Sequence, residues 1–216
     1  EIDATDGTFK PLVGIIRNLD QLRTTGFGGS YEYSCGWVTT GAINRFGGNG
    51  QCNMWGNPIG EMMYETLRYF AGQGAPTAAF DYGGGSVDAT LGLTKGNWQD
   101  PYTTYPSCSK PFETVISDIN PSYDTDEVPG TAFNDVGSTA PADDLGGFNA
   151  ATEAQAIWDT EFGAGAVGNY FIGQSGGIAD GAPTAKTVTG FANIRGLAPE
   201  EPTKMGGYYS ASAAFY

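Results

Sequence analysis

Phe112-Glu113-Thr114-Val115-Ile116-Ser117-Asp118, followed by Ile119-Asn120-Pro121, is a short run of aromatic and β-branched residues that stops on an acid. Pro121 cannot extend a strand and restricts the residue before it, so the run reads as a strand with Asp118 at its carboxyl end. Upstream, Asn57 can cap a helix with Pro58 at its first position. Ile59, Met62, Met63, Leu67 and Phe70 form one apolar stripe on it, and Gly72 closes it. Downstream, Glu153, Ala154, Ala156, Ile157, Trp158 and Phe162 predict a shorter helix ended by Gly163 and Gly165. Tyr170, Phe171 and Ile172 then predict a second buried strand before Gly173. An amphipathic helix from Pro11 through Leu22 precedes these elements, and small and aromatic residues from Tyr208 to Tyr216 predict a helix at the other end. The order helix, helix, strand, helix, strand points to an α/β sandwich with a parallel sheet, in which ligands gather beyond the carboxyl ends of the strands.

Two strands are too few for a parallel sheet, because each edge leaves backbone groups unpaired. The chain is therefore expected to be one domain over residues 1–216, incomplete by itself and packed against further polypeptide. Its 34 Gly and 12 Pro residues mark much of it as loop. Long insertions are expected at about 73–107, rich in Gly, Pro, Thr and Tyr, and at about 121–150, where Asp124, Asp126, Glu127, Asp135, Asp143 and Asp144 make a solvated or cation-attracting acidic stretch.

A formal charge of −14 repels a phosphate polyanion, which argues against nucleic-acid partners, and no apolar run approaches the roughly 20 residues of a membrane span. Abundant Thr, Ser, Asn, Gly and Tyr with little Lys suit an extracellular protein. Cys35 and Cys52 lie 17 positions apart across a Gly-rich stretch, and pairing them would remove roughly 3 kcal/mol of unfolded-state freedom in an oxidising compartment. Cys108 is then a free thiol, or bonds a segment outside this chain, or the pairing differs.

Asp118 at a strand end and Asn57 at a loop-to-helix junction could meet at one Ca²⁺ or Mg²⁺ ion, since hard cations take carboxylate and amide oxygens. Each residue also has a plain structural role available, a turn cap for Asp118 and a helix cap for Asn57. Asp124 and Asp126 add oxygens to a loop that lacks the EF-hand pattern, because Pro121 interrupts it and no Glu stands at the bidentate position. The chain has no His, which removes the Ser-His-Asp and Cys-His arrangements and leaves only a carboxylate pair for hydrolysis.

The stretch Trp55-Gly56-Asn57-Pro58-Ile59-Gly60-Glu61-Met62-Met63-Tyr64-Glu65-Thr66-Leu67-Arg68-Tyr69-Phe70 resembles a segment of the type IV pilus tip-associated adhesin and assembly family, often called PilC or PilY. Lys110 through Asp124, Phe171-Ile172-Gly173-Gln174-Ser175-Gly176, Ile194 through Pro202, and Tyr208-Tyr209-Ser210-Ala211-Ser212 are similar to that family in the same order. The resemblance implies a von Willebrand factor A-like three-layer sandwich with long Gly-rich insertions. It also implies a noncatalytic part of a pilus-tip adhesin that serves pilus biogenesis and attachment to host or abiotic surfaces. The implied partners are minor pilins or the remainder of the same adhesin chain, and the implied location is the pilus tip or bacterial outer surface. In the metal-ion-dependent adhesion site of that fold, Asp118 matches the Asp at a third strand end and Asn57 stands where the family fold has Thr, while the DxSxS element is missing from these residues. Two other readings are a structural subunit of an extracellular filament or surface layer and a secreted carboxylate-based hydrolase.

Overall fold

The computed structural model describes residues 3, 5–8, 10, 14–21, 57–81, 92–93, 96–103, 106–107, 110–117, 120–134, 139–199, 202 and 205–216. Cys35, Cys52, Cys108 and Asp118 lie outside the described residues. The helices are α1 (Ile15–Gln21), α2 (Ile59–Phe70), α3 (Ala150–Phe162) and α4 (Tyr209–Phe215), with a 3-10 turn at Ala78–Phe80. The strands are β1 (Gly168–Ser175), β2 (Ile178–Val188) and β3 (Ile194–Arg195), ordered β2-β1-β3 in one sheet.

The sheet is antiparallel throughout, which corrects the expected parallel arrangement. The reason is local. Ser175 and Ile178 pair across Gly176-Gly177, and Gly176 sits at φ +55°, the positive value that a type II′ hairpin turn requires at its first central position. A two-residue turn returns the chain antiparallel, whereas a parallel neighbour needs a crossover of a dozen residues or more.

A second correction concerns residues 112–117. They form no strand, and Phe112 and Ile116 are 83% and 91% exposed. The β-prone composition is present, but among the described residues no strand lies beside it to supply hydrogen bonds. The fold is thus mixed α and β, with a small sheet backed by helix α3, and the three-layer sandwich is not what the described residues form.

Helix α3 covers its predicted stripe and ends at the predicted Gly163, and it gains a cap that the sequence analysis did not name. The Asn149 side chain accepts the Thr152 backbone N–H at 2.9 Å, and Gly163 ends the helix at φ +91°. Helix α2 begins one residue later than its Pro suggested, with Pro58 at the N-cap and no side-chain cap. Its buried face is also rotated from the Ile59, Met62, Phe70 stripe: Gly60, Glu61, Tyr64 and Arg68 are buried, while Met62 is exposed. Polar partners for Glu61 and Arg68 and a ring partner for Tyr64 turn that face inward.

Two apolar clusters make the core. One gathers Tyr64, Val128, Phe133, Phe148, Ala154, Tyr209 and Ala213 between α2, α3 and α4, with Tyr64 stacked on Phe148 at 5.0 Å. The other gathers Trp158, Ile172, Val188 and Ile194 between α3 and the sheet. Phe191 packs against both; it lies 5.0 Å from Trp158 edge-on and 4.1 Å from Tyr208 in a stack. Among the described residues no helix is long and apolar enough to cross a membrane.

Candidate functional site

Of the residues singled out by sequence, Asn57, Asp124 and Asp126 are described, and they lie where residues 120–128 cross the start of α2. Asn57 does not cap the helix. Its amide nitrogen donates to Ser117 Oγ at 2.7 Å and to the Asn120 carbonyl at 3.0 Å. Its backbone N–H donates to Ser122 Oγ at 2.7 Å, and its carbonyl accepts the Ser122 N–H at 2.9 Å. The Asn57 side chain thus presents donors towards the segment that leads to Asp118.

Asp124 is fully buried rather than solvated, which corrects the reading of the acidic stretch as an exposed loop. Its Oδ1 accepts the Gly207 N–H at 2.9 Å and its Oδ2 the Gly60 N–H at 3.4 Å, so one carboxyl group joins the start of α2 to the approach to α4. The chains pass close together here. A Cβ on Gly60 would stand 2.9 Å from the Asp124 carbonyl oxygen, and one on Gly206 would stand 1.8 Å from the Pro121 carbonyl oxygen. Tyr123 and Met205, next to these contacts, hold φ values of +54° and +56°, a left-handed conformation that costs a non-glycine residue energy.

Burial pushes the Asp124 carboxyl up to about 7, against the lowering effect of its two backbone donors. Glu61 is driven well above the usual carboxylate range, first by burial and then by the neighbouring Asp126, Glu127 and Asp124. Glu61 Oε1 accepts the Glu127 N–H at 3.4 Å. Asp124 and Asp126 are therefore brought together with Glu61, but among the described residues no group of three such side chains is disposed to hold a metal ion.

Three charged side chains with structural roles escaped the sequence reading. Arg195 is buried with its guanidinium 4.3 Å from the Phe133 ring centre, and its Nε donates to Gln174 Oε1 at 2.6 Å. Arg68 forks onto Asp144, Nε to Oδ1 at 3.1 Å and Nη2 to Oδ2 at 2.8 Å, and also meets Glu65. Lys186 is only 3% exposed, and the three N–H groups of its ammonium are shared among four oxygens, the Ile172 carbonyl, Asp180 Oδ1, the Ala182 carbonyl and Thr184 Oγ1. The register explains that cage. Ile172 pairs with Thr184 but Gln174 with Ala179, so residues 180–183 bulge from β2 and curl over Lys186. The available signal was a lone Lys on the inward alternation of a strand.

The family model described as "PilY1 homolog, second domain" matches residues 1–216. The chain belongs to this family. A curated relative from Xylella fastidiosa, named type IV pilus biogenesis factor PilY1 homolog, is 42% identical over 212 residues. That match takes in 94% of this chain but 14% of the relative, so the PilY1-family domain spans a small part of the relative's length. No solved structure matches the chain.

Proposed function

We propose that this PilY1-family domain serves type IV pilus biogenesis as a noncatalytic module of a much longer surface polypeptide. The carrying observation is its 42% identity, over 94% of its length, to a pilus biogenesis factor. On this reading the intact polypeptide works at the pilus tip or bacterial outer surface and attaches it to host or abiotic surfaces. Minor pilins and the rest of the same chain are its partners.

The packing supports binding over turnover. Asp124 and Glu61, the buried acids, accept the backbone N–H groups of Gly60, Gly207 and Glu127 and so tie chain segments together, a structural task that weighs against the carboxylate hydrolase. The relative's length weighs against a free filament or surface-layer subunit of this size. Cation binding through Asp118 or Asp126 is a further proposal, read by whether calcium or magnesium raises the melting temperature of the intact protein.

The test is a strain whose intact protein carries Trp158→Ala. Removing a fully buried indole costs about 3–5 kcal/mol and unfolds the region between α3 and the sheet. Loss of surface pili and of attachment is expected. Normal piliation with this domain demonstrably sensitive to protease would refute the reading.

A further inference from the structure

Strand β2 departs from its pairing with β1 by more than an ordinary bulge, which adds a single residue. Residues 180–183 all stand opposite Gly173, between the pairs Ile172 with Thr184 and Gln174 with Ala179. The extra chain encloses one point. The Ile172 carbonyl at 2.6 Å, Asp180 Oδ1 at 2.7 Å, Thr184 Oγ1 at 2.7 Å and the Ala182 carbonyl at 3.1 Å surround the Lys186 ammonium. These oxygens are also held by bonds that do not involve the lysine. The Ala182 N–H donates to Asp180 Oδ1 at 3.0 Å, and Thr184 Oγ1 donates to Asp180 Oδ2 at 2.7 Å. Gly181 makes the bend at φ +63°, and the sheet fixes Ile172. A ring of carbonyl, hydroxyl and carboxylate oxygens can replace the water shell of a cation, and its one carboxylate balances one positive charge.

We infer that the β2 bulge is a preformed binding site for a monovalent cation, which Lys186 fills with its own ammonium. The spacing sets the class of ligand. Ca²⁺ takes roughly six to eight oxygens at roughly 2.3–2.6 Å and Mg²⁺ demands roughly 2.0–2.1 Å. The cage offers its oxygens at 2.6–3.1 Å, which suits an ammonium or potassium ion. Tethering keeps the occupant present at every salt concentration, so the bulge holds its shape without an ion from the surroundings. Truncating the side chain empties the site, and the cage then takes a free potassium ion or a primary ammonium. The inference concerns one loop of the sheet and stands whether or not the pilus reading holds.

Hydrogen exchange over residues 178–188 of the intact polypeptide tests it. Choline, potassium and n-propylammonium chlorides are compared at one ionic strength of about 0.1 M, so that screening is equal. Lys186→Ala removes the atoms of one n-propylammonium ion. In choline, which is too bulky for the cage, this variant should exchange ~10-fold faster than the parent protein over the stretch. Potassium or n-propylammonium should recover most of that protection, and 1-propanol, shaped like the amine but uncharged, should recover little. The parent should exchange equally in all three salts. Lys186→Val, which fills part of the path of the stem and suits a strand, keeps the test open where the alanine variant does not fold. It should answer to potassium but not to n-propylammonium. Exchange in the variants that is the same in choline and in potassium, or protection recovered equally by 1-propanol, would overturn the inference.

Discussion

The Asp124 carboxyl group accepts the Gly207 backbone N–H at 2.9 Å from a position with no solvent exposure. Through its second oxygen on Gly60, it joins segments that stand far apart in sequence, and the left-handed Tyr123 and Met205 are held beside it. Replacing it with Ala leaves two buried donors without acceptors. At about 1–3 kcal/mol per orphaned donor, Asp124→Ala should cost about 2–6 kcal/mol, read as a lowered melting temperature. Asp124→Asn retains one acceptor oxygen and should cost less at pH 5.

The same group sets a pH dependence. Asp124 titrates at about 7 in the folded protein, above its ordinary 3.8, and Glu61 is shifted the same way. A carboxyl raised on folding contributes stability that is complete below its unfolded value and lost as pH rises through its folded one. Asp144 behaves oppositely. The Arg68 hydrogen bonds hold it below the usual carboxylate range, so its contribution disappears as pH falls below 4. Melting temperature should therefore peak near pH 4, fall between about pH 4 and pH 7, and level off above that. Asp124→Asn should flatten the alkaline side; an unchanged decline would remove Asp124 as its cause.

Lys186 should matter more than a surface lysine. Lys186→Met keeps the aliphatic stem but deprives the Ile172 and Ala182 carbonyls of their donor. Losing charge-assisted hydrogen bonds at this buried position should cost about 1.5–3 kcal/mol by denaturant unfolding. Lys186→Arg should not rescue it, because a planar fork cannot fill a compact four-oxygen cage.

Gly206 is required by space rather than by conformation. The 1.8 Å approach of its missing Cβ to the Pro121 carbonyl means that Gly206→Ala must push two backbone segments apart. A loss of about 1–3 kcal/mol is expected in thermal melting, accompanied by faster amide exchange at Gly207, whose hydrogen bond to Asp124 depends on the same approach.

The elements that were legible in sequence carry their own signals. Helix α3 has a hydrophobic stripe around Trp158 and Gly163 at its end; β1 has Tyr170, Phe171 and Ile172, of which only Ile172 is buried; α4 has its run of small residues. The misreadings share a cause, which is information held by distant partners. Phe112 to Ser117 has strand composition, but pairing depends on a neighbour. Asp124 belongs to an acidic run that looks solvated, and only Gly60 and Gly207 closing over it bury it. Gly176-Gly177 could have announced the hairpin and hence an antiparallel sheet, had it been weighed as a turn. Of the candidate cation ligands, Asn57 donates to Ser117 and Asn120, and Asp118 lies outside the described residues.

The central claim is that this domain contributes to pilus biogenesis by folding and binding, without carboxylate chemistry. The most direct measurement is the number of surface pili in cells whose intact protein carries Glu61→Gln, Asp126→Asn and Glu127→Gln together. These neutral replacements nearly preserve shape and relieve the repulsion that, after burial, raises Glu61. The account predicts pilus numbers equal to those of the parent strain. Loss of pili from a variant that melts at or above the parent temperature would contradict it.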